Sequence, residues 1–119
     1  MDSKNVILDD EAKKNYDEIA RRLASRPGIS LGKMFGMPSI LFRGKAFSGY
    51  SQGEMVFKLT GADHRHALSL AGARLFDPSG RNRPMKEWIQ VPAANLKEWE
   101  MLAMAALRYL ESKIESPGL

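Results

Sequence analysis

Between Arg74 and Lys86 the chain sets Arg74, Arg81, Arg83 and Lys86 against one acid, Asp77, a local excess of three positive charges. A guanidinium holds its donors in a planar fork that matches the oxygen pairs of phosphates and carboxylates, so this spacing points to anion recognition. Around Arg81 and Arg83 the only amide or aromatic side chain is Asn82, which leaves little with which to read a base edge. Contact with nucleic acid through this loop is therefore expected to be weak and indifferent to sequence. The alternative is a solvated loop in which one arginine pairs Asp77 or Glu87. Lys33, Arg43 and Lys45 enlarge the patch only if the fold brings them close.

Other chemistries find less support. His64 and His66 stand two apart on an expected helix and so point about 200° from one another, unlike the i, i+4 pair that shares a metal. Asp63 beside them reads as a helix cap. Asp9, Asp10 and Glu11 suit a helix N-terminus, and Glu98, Glu100 and Glu111 suit solvated helix positions. The serines lie in turns and strand edges, away from any base that could activate them. Gly44, Gly49 and Gly53 lack the strand–loop–helix context and the Lys-Ser/Thr ending of a phosphate loop. With no cysteine, disulfides, thiolate metal sites and cysteine nucleophiles are excluded. The residues point to a non-enzymatic protein with no cofactor and no metal.

The elements that must position the basic loop follow from hydrophobic period. The 119 residues are 44% apolar and 27% charged with a net charge of +4, the size and balance of one folded domain with a core spanning about residues 10–113. No signal-like apolar run opens the chain, and nothing reaches the roughly 18 apolar residues of a spanning helix, so the expected location is cytoplasmic, with no membrane partner. Ala12, Tyr16, Ile19, Ala20 and Leu23 recur at helical spacing, which predicts a first helix over about 10–25 ended by Pro27-Gly28. From Lys33 to Leu59 the period drops to two, punctuated by Arg43-Gly44-Lys45 and Ser51-Gln52-Gly53, and this predicts a four-stranded antiparallel meander over 31–35, 39–43, 46–50 and 55–59. Met37-Pro38 is expected to bend the chain between the first two strands.

Thr60 is expected to cap a short helix over 62–71 through its hydroxyl. Residues 72–84 read as a loop around the turn signal Asp77-Pro78-Ser79-Gly80, and 85–91 as a fifth strand with Trp88 and Gln90 on one face and Ile89 and Val91 on the other. Asn95 with Glu98 resembles an amide-capped start to a long last helix, with Pro92 at a first helical position as the alternative start. Along that helix Trp99, Leu102, Ala103, Ala106, Leu107, Leu110 and Ile114 form a wide apolar stripe. Ser116-Pro117-Gly118 reads as a tail.

Within that order of elements, Lys33-Met34-Phe35-Gly36, Arg43-Gly44-Lys45-Ala46-Phe47, Phe57-Lys58-Leu59, Phe76-Asp77-Pro78, Trp88 ahead of Val91-Pro92, and Trp99 resemble the N-terminal domain of the TfoX (Sxy) competence regulators. The MmcQ/YjbR-like proteins, which imply a small-molecule or nucleic-acid-binding module, show a similar pattern. The TfoX resemblance implies a non-enzymatic regulatory or adaptor domain that binds a protein partner or nucleic acid, with a homodimer as a further possibility. The expected architecture is two-layer α+β, a roughly five-stranded antiparallel sheet with an N-terminal, a short middle and a long C-terminal helix on one face.

Overall fold

A computed structural model describes residues 3–115, with side chains over 10–114. The predicted tail at Ser116-Pro117-Gly118 lies outside the described residues. Its first four strands, β1 (Ile29–Met34), β2 (Met37–Phe42), β3 (Lys45–Ser51) and β4 (Glu54–Lys58), are joined by three turns of two residues each. Phe35-Gly36, Arg43-Gly44 and Gln52-Gly53 all hold both residues at positive φ, at 52° and 77°, 50° and 84°, and 53° and 81°. Paired positive φ values are the signature of type I′ hairpins, whose twist matches that of the flanking strands. Glycine fills the second place in each because it takes positive φ without steric penalty. The first turn falls at Phe35-Gly36, not at Met37-Pro38: Pro38 lies inside β2 opposite Lys33, one residue from the strand start, where a missing donor is tolerated.

The rest of the chain adds α2 (Gly61–Ser69), β5 (Arg74–Phe76), β6 (Met85–Val91), a 3₁₀ turn (Ala93–Glu98) and α3 (Trp99–Glu115), after an opening helix α1 (Ser3–Ala24). The described residues form one antiparallel sheet in the order β1-β2-β3-β4-β6-β5. The α+β expectation holds, with six strands in place of five. The extra strand lies in the expected loop, where Arg74, Leu75 and Phe76 pair with Gln90, Ile89 and Met85. Helix α1 starts a full two turns early, so Asp9, Asp10 and Glu11 sit within it and its first turn holds no acid. Thr60 makes no side-chain cap; its carbonyl accepts the His64 N–H instead. Asn95 does not cap α3 either, because its Nδ2 donates to the Ala71 carbonyl at 2.8 Å and ties the 3₁₀ turn to the end of α2.

All three helices pack on one face. Ile40, Phe42, Phe47, Met55, Phe57, Ile89 and Val91 meet Tyr16, Ile19 and Leu23 of α1, Ala67 of α2, and Trp99, Leu102, Ala106, Leu107 and Leu110 of α3 in one buried cluster. A bulge opposite Ile40 and Leu41 turns Phe47 as well as Ser48 toward this face, adding a ring to the core that strict alternation would send outward. Ser48, fully buried there, donates to the Val56 carbonyl at 2.8 Å. The Tyr16 and Tyr50 rings lie 5.3 Å apart, and Arg22 grips Glu100 through two bonds of 2.7 and 3.0 Å, linking α1 to α3. That pair is half exposed and adds little to stability. Trp99 is wholly buried, and its Nε1–H has no hydrogen-bond partner among the described residues.

Trp99 and Leu107 are 0% and 1% exposed in the middle of this layer. Replacing either with Ala is expected to cost about 2–5 kcal/mol in denaturant unfolding, the range for large-to-small core changes. A loss of under half a kcal/mol at both would make α3 a peripheral element.

Candidate functional site

The face without helices carries its own small cluster. Met37, Val56, Phe76 and Trp88 are buried there, with Met34, Ala46 and Met85 packed against them. Gly32, Ser39, Gly49, Val56, Gln90 and Arg74 pair in turn and form a line straight across the sheet on this side. Gly49 is fixed by close approach: a Cβ there would meet Met37 Cε at 2.9 Å and the Pro38 carbonyl oxygen at 3.0 Å. Phe35, at the tip of the β1–β2 hairpin, has its ring centroid 6.3 Å from that of Phe76 on β5. Those residues belong to opposite edges of the sheet, which a flat arrangement would separate by about 24 Å. The sheet therefore curls, and its two edges meet over the open face.

Where they meet is a cavity of about 220 Å³ lined by Phe35, Ser51, Gln52, Arg74, Phe76 and Gln90, with Met37, Asp77 and Pro78 completing the wall. A second hollow, lined by Arg74, Leu75, Asp77, Asn82, Pro84 and Gln90, adjoins it through the same arginine and glutamine. Arg74 is held in place: its guanidinium donates to Glu54 Oε1 at 2.8 Å and to the Gly72 carbonyl at 3.1 Å. Gln90 is only 8% exposed, yet its carboxamide has no hydrogen-bond partner among the described residues. Its neighbours in the line explain this. Val56 has no polar group to offer, and the Arg74 guanidinium is turned to Glu54.

The basic loop leaves this site from the end of β5. Asp77 organises it: one carboxylate oxygen accepts from the Ser79 hydroxyl at 2.6 Å and the Ser79 amide at 3.1 Å, and the other accepts from the Arg83 amide at 3.1 Å. The Ser79 hydroxyl, with the backbone amides of Arg83, Ser79 and Gly80, holds the Asp77 carboxyl below the usual carboxylate range. With Asp77 engaged by its own loop, and Glu87 by the Tyr109 hydroxyl at 2.6 Å and Lys58 at 3.9 Å, neither acid takes up an arginine. Arg81, Arg83 and Lys86 are exposed, and no acid pairs with them among the described residues. Arg74 differs from the other three, being paired to Glu54 and part of the cavity wall. The fold does not bring Lys33, Arg43 and Lys45 to the cavity. Lys33 is on the far edge strand, and Arg43 lines a separate cleft with Arg26 and Glu111.

The histidines are structural ties. His64 Nε2 donates to the Lys86 carbonyl at 2.9 Å and His66 Nε2 meets Glu98 Oε1 at 3.1 Å, so each binds α2 to a different neighbour. Among the described residues no three His, Cys, Asp or Glu side chains gather as a metal site would need, and no helix is long and apolar enough to cross a membrane. Sequence reasoning passed over Phe35, Glu54 and Gln90. The one signal available for Gln90 was an amide in the middle of an otherwise apolar strand end.

A curled antiparallel sheet covered by helices on one face, with its cavity and cationic loop on the other, defines a two-layer α+β domain. Residues 21–111 match the TfoX N-terminal domain, and the chain belongs to that family of non-catalytic, regulatory, competence-type domains. Neither a curated protein nor a solved structure matches the chain.

Because the Asp77 carboxyl titrates below the ordinary value, its hold on the loop is complete at neutral pH and is lost as pH falls below about 4 through the lowered pKa. Protection factors of the Ser79 and Arg83 amides, taken against the intrinsic exchange rate at each pH, are expected to fall across that window and, in Asp77→Ala, to be low already at pH 7. Unchanged protection in the variant would mean that the carboxylate does not order the loop.

Proposed function

We propose that this domain is a non-enzymatic regulatory domain that acts by binding nucleic acid through phosphate contacts made by Arg81, Arg83 and Lys86, with Arg74 beside them. The observation that carries the reading is the pairing of a loop ordered by Asp77 with three exposed cations that no acid among the described residues neutralises. An ordered loop loses little freedom when a phosphate strand settles on it, and each neutralised phosphate releases condensed counterions. Arg74, already neutralised by Glu54, contributes position more than net charge.

A protein partner is the second reading, favoured by the outer edge of β1, where Leu31 is 54% exposed and no strand among the described residues pairs on that side. Such an edge can accept a strand from a partner or from a second copy.

Binding of a fluorescent single strand is expected to weaken steeply with salt, at about −0.7 in log K per log salt for each phosphate, near −2 for three contacts. Arg81→Ala with Arg83→Ala is expected to flatten that slope by about 1.4. Absence of binding to single- and double-stranded DNA and RNA at low salt would remove this reading and leave the β1 edge as the working surface.

A further inference from the structure

The cavity under Phe35 holds two features that the fold gives no use for. Gln90 is 8% exposed as a residue, and its carboxamide, open to the hollow, makes no hydrogen bond among the described residues. Its atoms face the cavity from the wall that it shares with Arg74. Phe35 sits at φ 52° in a turn position that favours Asn or Asp, and a bulky residue in that region is strained. Its ring is 61% exposed. An unengaged amide lies on one side of the hollow and a strained, exposed ring on the other. Both make sense if something planar with hydrogen-bonding edges goes between them.

We propose that the cavity takes a single unpaired nucleobase, with its face against Phe35 and its edge on the Gln90 carboxamide. This rests on the nucleic-acid reading above and goes beyond it, since the loop alone offers only phosphate contacts. At about 220 Å³ the hollow falls short of the roughly 300–1,000 Å³ of drug-sized sites, so it admits one ring system and no extended ligand. A carboxamide presents a donor and an acceptor side by side, which is the arrangement that pairs with N6 and N7 of adenine. Duplex bases hide their faces in the stack, whereas an unpaired base offers both face and edge to a protein. Gln52 and Ser51 at the rim supply further hydrogen-bonding groups for the sugar, and the loop that carries the exposed cations borders the cavity through Asp77 and Pro78.

The test compares an oligodeoxyadenylate of about eight nucleotides, within the usual single-strand site size, with an abasic oligomer of the same length and charge. The expected result is about tenfold tighter binding of the adenylate, the scale of one base stacked on an aromatic ring. The side-chain NH₂ signals of Gln90 are expected to move with the adenylate and stay put with the abasic strand. Gln90→Leu and Phe35→Asn are each expected to bring the adenylate down to the abasic level. The first is expected to keep the melting temperature, because the Gln90 amide makes no hydrogen bond among the described residues, and the second to keep or raise it, because Phe35 is strained. A role confined to folding would show the opposite sign, a lower melting temperature with the tenfold preference intact, and would overturn the proposal. Equal binding of the two oligomers would overturn the base pocket and leave the phosphate reading standing. Binding of neither would overturn both.

Discussion

Each two-residue turn in the meander leaves no slack between its strands, so the pairing that runs from Gly32 through Ser39 and Gly49 to Val56 cannot slip by one position without reversing every side chain it carries. Ile40, Met55 and Phe57 face the helices because of that register, and Met37, Ser39 and Val56 face away for the same reason. The helices answer to the register too. Trp99, Leu102, Ala106 and Leu107 cover a surface whose pattern is already set by Gly36, Gly44 and Gly53.

The two faces do different work. The covered one is dense and apolar, with the Ser48 hydroxyl bonded to the backbone, and it accounts for the fold's stability. The open one is built from small residues at its centre and gathers its exceptions at one end: a phenylalanine at positive φ, an amide at the cavity wall with no partner among the described residues, and an arginine turned aside by Glu54. Departures from local rules of this kind concentrate where a protein meets something else. The basic loop continues from that same end, because β5 delivers it there.

Long periodic segments were legible in the residues. The stripe from Trp99 to Ile114 and the alternation from Met85 to Val91, stopped by Pro92, each repeat often enough to declare their period. Arg74-Leu75-Phe76 is too short to show any period and is followed directly by Asp77-Pro78-Ser79-Gly80, so its turn signals outweigh its strand. Phe35-Gly36 hides its turn because a phenylalanine is rare in that place. Of the site, the four basic residues could be named from spacing alone, but not that Arg74 would be claimed by Glu54, twenty positions earlier in the chain. That pairing, and the isolation of the Gln90 amide, exist only once β4, β5 and β6 lie side by side.

The division between faces has a spectroscopic consequence. The chain has two tryptophans, and they fall in the two different clusters: Trp99 among the helices with an indole N–H that bonds to nothing among the described residues, Trp88 on the open face with Phe76 and Met37. An indole sealed in hydrocarbon and making no hydrogen bond emits at the blue end of its range, while one beneath a solvent-facing hollow shifts as its surroundings change. The molecule thus carries a separate fluorescent reporter for each of its layers, one recording whether the helices stay docked and the other what happens on the side they leave bare.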